Sequence, residues 1–321
     1  MKKIAIFALV LVGLVSLAAC NTADAFDPES TVNVYTRDTT SGTREAFFKG
    51  IDFSDAVDDN SVLVSSYVEV AANAAMMTAV ANDEYGLGYI SLSALDDTLT
   101  GLSYEGVVAS EANVLNDTYG LKRPFMYMTR DAASETQTSH ATANLIVEAF
   151  VAFMETSDGK AIIKDHGGIV STSSADQSWD DIKANYPVVA QDTSSVVVKF
   201  GGSTSVESIA KALSAAFASL LAESGQTVGF IAEHNHVGSG AAYDGVQGAD
   251  KEDAAAGLDI GFASRSFSGD ELTAVNGSYG QLAWDAVVAV VNNANTTITN
   301  ITAAQLKSLY EGAITKWSEL A

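Results

Sequence analysis

Residues 196–220 read VVVKFGGSTSVESIAKALSAAFASL. The β-branched run Val196 to Val198, extended by Lys199 and Phe200, predicts a buried strand that stops at Gly201-Gly202. Ile209, Leu213, Ala216, Phe217 and Leu220 then share one helical face, which predicts a helix from about Val206 to Leu221. Between the two lies Gly202-Ser203-Thr204-Ser205. A helix N-terminus presents unpaired N–H groups and the positive end of its dipole, and the hydroxyls add donors, so this turn suits an anion.

The same strand–turn–helix grammar recurs on both sides. Val32-Asn33-Val34-Tyr35 predicts a strand that runs into the polar turn Arg37-Asp38-Thr39-Thr40-Ser41-Gly42, with a helix from Thr43. Arg37 adds a planar fork able to grip a tetrahedral anion. Gly238-Ser239-Gly240, after a strand expected at Val228 to Ala232, is a third donor-rich turn. Leu258 to Phe262 predicts a strand ending at Ala263-Ser264-Arg265, and others are expected at Tyr85 to Ile90, Phe125 to Met128 and Ala286 to Val291. Val70 to Val80 and Leu145 to Met154 read as helices, the latter stopping at Ser157-Asp158-Gly159. Thr302 with Gln305 forms a capping box for a helix to about Tyr310, closed by Gly312. Gln177 to Asp192 reads as a surface connection. Alternating strands and helices imply an α/β fold with mostly parallel sheets.

A chain of 321 residues with 47% apolar content can build one large unit or two lobes, and it is not a disordered chain. Seventeen Lys and Arg face forty Asp and Glu, a formal charge of -23. That field repels nucleic acids and anionic membrane surfaces, which argues against a nucleic-acid binder. It does not exclude a local anion site, where hydrogen bonds act at contact range and salt screens the distant charge.

The first twenty residues set the compartment. Lys2 and Lys3 precede an apolar run from Ile4 to Leu17, followed by Ala18-Ala19-Cys20. This is the pattern of a secretory signal, residues 1–19, and Leu17 to Cys20 resembles a bacterial lipobox in which Cys20 is lipidated. A short membrane anchor, or a signal with an incidental Cys, is the other reading. Residues 20–30 then form a tether on the outer side of the cytoplasmic membrane. With a single cysteine, an internal disulfide and a multi-cysteine metal site are ruled out. His234 and His236 lack a completing carboxylate pattern for a metal, so neither metal nor cofactor is expected. There is no P-loop, no G-x-S-x-G elbow and no marked acid–base pair, so no catalytic residue is assigned.

These turns together resemble the phosphate-binding lipoproteins of bacterial ABC phosphate importers. The likeness is carried by Gly202-Ser203-Thr204-Ser205-Val206, Gly238-Ser239-Gly240, Leu258 to Arg265 and, most specifically, Tyr35-Thr36-Arg37 with Ser41-Gly42-Thr43-Arg44. Trp284 to Asn292, Ile301 to Trp317 and Gly86 to Ile90 extend it across residues 31 to 321. The resemblance implies a two-lobe, periplasmic-binding-protein-like type II fold with the ligand cleft between lobes. It implies capture of inorganic phosphate and delivery to the transmembrane subunits of an ABC permease, without covalent change. Sulfate, molybdate or another oxyanion, and a non-transport sensor or adhesion lipoprotein, are the alternatives.

The segment order differs from the family's usual one, since the Gly-Ser-Thr turn follows the Ser-Gly-Thr-Arg turn, which implies a circular permutation. Carried through, residues 31–122 and 286–321 form a split lobe and residues 123–285 a continuous one. Two chains exchanging halves is the rival arrangement. By position the resemblance makes Thr204, Ser205, Ser239, Arg37, Ser41, Gly42 and Thr43 the phosphate ligands, with Gly240 and Arg44 in support. Some members place an Asp, which accepts a ligand proton, where this chain has Arg265. Asp38 and Asp259 are the candidate replacements, and Arg265 is a candidate bridge between lobes.

Overall fold

The computed structural model describes residues 26–131, 138–222, 228–274 and 277–320. The leader, Cys20 and most of the tether lie outside the described residues.

The chain runs through β1 (Asn33–Arg37), α1 (Gly42–Gly50), β2 (Val68–Val70), α2 (Asn73–Ala81), β3 (Gly86–Ser91), β4 (Leu99–Gly101), β5 (Ser103–Tyr104) and α3 (Glu111–Leu115). It continues through β6 (Lys122–Thr129), α4 (Thr138–Met154), α5 (Ser157–Asp165), α6 (Trp179–Ile182), β7 (Val197–Gly202) and α7 (Glu207–Leu220). β8 (Ile231–Asn235), α8 (Gly240–Asp244), β9 (Ile260–Ala263), β10 (Tyr279–Asn292), β11 (Asn300–Ile301) and α9 (Ala303–Glu311) complete it.

The α/β reading holds, but the sheet is mixed rather than mostly parallel. Its order is β2-β1-β3-β10-β6-β9-β7-β8. The outer strands are parallel, as strand–helix–strand units require: β1 with β2 and β3, and β7 with β8 and β9. β10 is antiparallel to both of its principal neighbours, pairing Val287 to Val291 with β3 and Tyr279 to Ala286 with β6. Its apolar run extends well upstream of the expected Ala286 start, so one strand spans the whole middle of the molecule.

The two largest apolar cores flank this crossing. One gathers residues from Phe26 to Leu121 with others from Trp284 to Leu320, joined by Ile169. Phe47 stacks on Tyr89 there, and Phe48 and Tyr310 meet edge to face. The other is built between Phe125 and Ala283, around Phe150, Phe153, Phe200 and Phe217.

Three local expectations need correction. Ser157 opens α5 rather than ending α4, because Thr156 caps the new helix by accepting from the Gly159 N–H. The segment Gln177 to Asp192 is not merely surface: it carries α6, and Trp179 and Val188 are buried in the second core. β8 begins at Ile231, later than expected, and takes in both His234 and His236's neighbour Asn235. The α9 capping box and its Gly312 stop at φ 81° are as the sequence implied.

Candidate functional site

The parallel strands β1, β7 and β9 all end at the same place, and in open α/β sheets that carboxyl edge is where ligands bind. β7 ends on Gly202, whose φ of 99° excludes most side chains and where a Cβ would stand 2.2 Å from the Phe262 carbonyl oxygen. This close approach lets the Ser203 N–H donate to Phe262 O and sets Ser203 to Ser205 at the cleft.

β1 ends on Arg37, which is 1% exposed. Its backbone N–H donates to Tyr89 Oη at 3.0 Å, and its Nη2 donates to Ala71 O at 2.8 Å and Thr204 Oγ1 at 3.2 Å. Nε and Nη1 are buried without a partner. Arg44 lies beneath, giving Nη1 to Arg37 O at 2.7 Å and Nε and Nη2 to Ala56 O. It braces the turn and contributes no free donor fork.

Ser41 caps α1, its Oγ accepting from the Arg44 N–H at 3.3 Å. Thr43 Oγ1 stands 3.0 Å from Ser205 Oγ. Gly42 is tight for a different reason: a Cβ there would meet Ser239 Oγ at 2.4 Å and Ser264 Oγ at 2.7 Å. Ser239 accepts from the Ser264 N–H at 3.0 Å. The structure therefore brings Arg37, Ser41, Gly42, Thr43, Thr204, Ser205 and Ser239 to one buried locus, although these residues come from both cores.

The supporting candidates divide. Gly240 and Arg265 line a pocket at the cleft mouth with Thr39, Glu45 and Glu271. Arg265 is an ion-pair bridge: its Nε meets Glu45 Oε2 at 2.9 Å on α1, and Nη1 and Nη2 meet Glu271 at 2.6 and 2.7 Å. Burial pulls the Arg265 pKa down, but the two glutamates outweigh it and the net shift is upward. Asp38 Oδ1 accepts from the Thr40 N–H at 3.0 Å, which closes the turn on itself, while Oδ2 stands 3.9 Å from Arg37 Nη2.

Asp259 does not belong to the site. It accepts from the Lys199 N–H at 2.8 Å and faces His140 and Arg130. Lys199 and Ser203 are four residues apart on one extended segment, about 13 Å, so Asp259 anchors the far end of the strands.

Sequence reasoning missed a further buried guanidinium at the site. Arg123, 2% exposed, gives Nε to Asp285 Oδ2 at 2.8 Å and Nη2 to Ser205 Oγ at 3.1 Å. Ser91 Oγ also donates to Asp285 Oδ2, at 2.7 Å, and Asn73 Nδ2 reaches Ser205 Oγ at 3.2 Å. Arg123 Nη1 and Asp285 Oδ1 are buried without a partner. Desolvation lowers the pKa of both Arg37 and Arg123, yet a guanidinium remains charged in any such setting. The signal for Asp285 was available: it is the lone acid inside an apolar strand, and a buried carboxylate demands a partner.

No group of three or more His, Cys, Asp or Glu suited to a metal occurs among the described residues. No helix there is long and apolar enough to cross a membrane.

Comparison with known proteins points the same way. Residues 187–321 match the model of the PBP superfamily domain. Phosphate-binding protein PstS 2 of Streptococcus agalactiae serotype V is 26% identical over 318 residues, covering 97% of this chain and 95% of that protein. PstS 2 of Streptococcus pneumoniae serotype 4 is 26% identical over 325 residues, covering 99% of each. The crystal structure of a phosphate ABC transporter, phosphate-binding protein from Streptococcus pneumoniae TIGR4 superposes with a TM-score of 0.64 at 24% identity, over 91% of this chain and 100% of that one. The fold is thus the PBP-like two-lobe α/β fold. Because the matches run almost end to end, these relatives carry their segments in this chain's order.

Proposed function

We propose that this PBP-fold chain captures inorganic phosphate between its lobes and passes it, chemically unchanged, to the transmembrane subunits of an ABC permease. The observation that carries the reading is Arg37. A guanidinium 1% exposed, with Nε and Nη1 unpaired and Thr204 beside it, is costly unless an anion completes its fork. The hydroxyls of Ser41, Thr43, Thr204, Ser205 and Ser239 surround it with neutral donors, which is how a dehydrated tetrahedral anion is held in a protein of formal charge -23. The names of the relatives, phosphate-binding proteins, support the same ligand.

In this reading the first core is the split lobe, residues 31–122 and 286–321, and the second is the continuous lobe, residues 123–285. The order, which these relatives share, is a circular permutation of the usual order of the resembled family's turns, and it folds within one chain. Cys20 carries the lipid that tethers the protein outside the cytoplasmic membrane.

Calorimetric titration of residues 21–321, stripped of anion by unfolding and refolding, tests the ligand. One phosphate per chain is expected with Kd on the order of micromolar or tighter, with sulfate far weaker at equal ionic strength. Arg37→Met should weaken phosphate by roughly two orders of magnitude, since it truncates a buried charge partner. A folded wild-type protein that ignores phosphate, or an Arg37→Met protein that binds normally, would sink the proposal.

A further inference from the structure

Asn73 opens α2 and belongs to none of the anion turns, yet its side chain reaches into them. Ser205 Oγ receives Nη2 of Arg123 at 3.1 Å and Nδ2 of Asn73 at 3.2 Å, and lies 3.0 Å from Thr43 Oγ1. The orientation of the Asn73 amide is set by the Ser91 N–H, which donates to Oδ1 at 3.4 Å. A guanidinium nitrogen and an amide nitrogen have only hydrogens to offer, whereas a serine oxygen accepts two hydrogen bonds and donates one. Both acceptor positions of Ser205 are therefore taken. Its single hydrogen points away from Arg123 and Asn73, to the side where Thr43 stands.

We infer that Asn73 and Arg123 are positioning residues that turn Ser205 into a donor-only hydroxyl, so that this corner of the cage accepts an unprotonated ligand oxygen and rejects a protonated one. The inference rests on the oxyanion reading above. Thr204 differs: its Oγ1 receives one such bond, from Arg37, and keeps a second lone pair. Arg123 is itself held by Asp285, which is 0% exposed and also takes the Ser91 hydroxyl. Asn73 and Ser91 lie on α2 and β3, within residues 31–122, and Ser205 follows β7, within residues 123–285. The hydroxyl is thereby set only when the lobes meet, which ties donor orientation to closure.

Replacing Arg123 would strand Asp285, so the test is a double-mutant cycle on Asn73 and Ser205, read by phosphate calorimetry with Tm recorded for each protein. Asn73→Ala should weaken phosphate about tenfold when Ser205 is present, the scale of one hydrogen bond to a charged group. In a Ser205→Ala background the same change should cost less than about twofold, because there is no hydroxyl left to orient. Should Asn73→Ala fail to fold, Asn73→Ser, too short to reach Ser205, takes its place. Equal losses in both backgrounds, or no loss from Asn73→Ala, would show that Asn73 is merely structural and overturn the inference while leaving phosphate binding intact. A wild-type protein that binds no phosphate takes both readings down together.

Discussion

Arg37 and Arg44 stand seven residues apart and divide two jobs that the motif Arg37 to Arg44 leaves undivided. Arg44 spends its donors on the Ala56 and Arg37 carbonyl oxygens, beneath a fully buried Phe48, whereas Arg37 keeps Nε and Nη1 uncommitted. Residue-scale physics also governs the paired imidazoles on and just beyond β8. His236 Nδ1 lies 3.1 Å from the Ser203 carbonyl oxygen, an acceptor, so that nitrogen carries the proton. His234 Nδ1 lies 3.2 Å from His236 Nε2, and its own Nε2 lies 3.0 Å from Ser214 Oγ. Burial first, then the charge His236 would carry, pushes the His234 pKa down to about 4, and burial lowers that of His236 too. The unfolded chain, with histidines near 6.5, binds protons that the folded protein refuses, so stability rises with pH across this window. The contribution is fully present above about 6.5 and is lost as pH falls toward 4. Urea midpoints measured from pH 7 to pH 4.5 should therefore fall less steeply for His234→Gln than for the wild type; an unchanged slope would remove the pair from the account of acid sensitivity. The sequence showed these histidines two apart, but not that His234 stacks on Phe200 and His236 on His234, and so could not separate a buried pair from a metal site.

At the scale of elements, α1 is the part the other core closes on. Gly42 is its first residue, and a Cβ there would collide with Ser239 and Ser264, which belong to the turns of the opposite core. Gly42→Ala should leave the unliganded fold within about 1 kcal/mol of wild type, since Ala is the better helix former, yet weaken phosphate about tenfold or more by holding the cleft ajar. Thermal denaturation beside titration checks this, and a variant that binds normally would show that the cleft has slack. The turns themselves were legible because strand, hydroxyl turn and helix are all written in consecutive residues. Asn73, Ser91 and Arg123 were not, and the lone acid Asp285 marked the need for a partner without naming it. Each sits on its own element, separated by up to about two hundred positions of chain; the pairing of β10 with β3 and β6 brings Ser91, Arg123 and Asp285 together, and Asn73 joins them from α2 through the Ser91 N–H. The expectation of mostly parallel strands failed at the same place. An antiparallel centre leaves no local sequence mark when a strand is buried on both faces and reads as one apolar run.

For the whole molecule, β10 and its partner β6 are the strands through which the two halves of the sheet join, and Arg265 bridges to Glu45. Closure must therefore be accommodated by this central ribbon, and Trp284 sits on it. The protein has three tryptophans: Trp179 is sealed in one core and Trp317 in the other, while Trp284 is only partly buried, with the Lys122 ammonium 3.8 Å from its ring centroid. An indole beneath a cation emits at an energy set by that charge, and a small change in their separation alters the colour of its light. Phosphate should thus shift the intrinsic fluorescence of the wild-type protein, and Trp284→Phe should abolish the shift while the two buried rings stay bright. If the shift survives the substitution, the ribbon does not flex at Lys122. If it vanishes, the strand that joins the halves carries its own optical gauge, and the opening and shutting of the cleft can be followed in real time without attaching any dye.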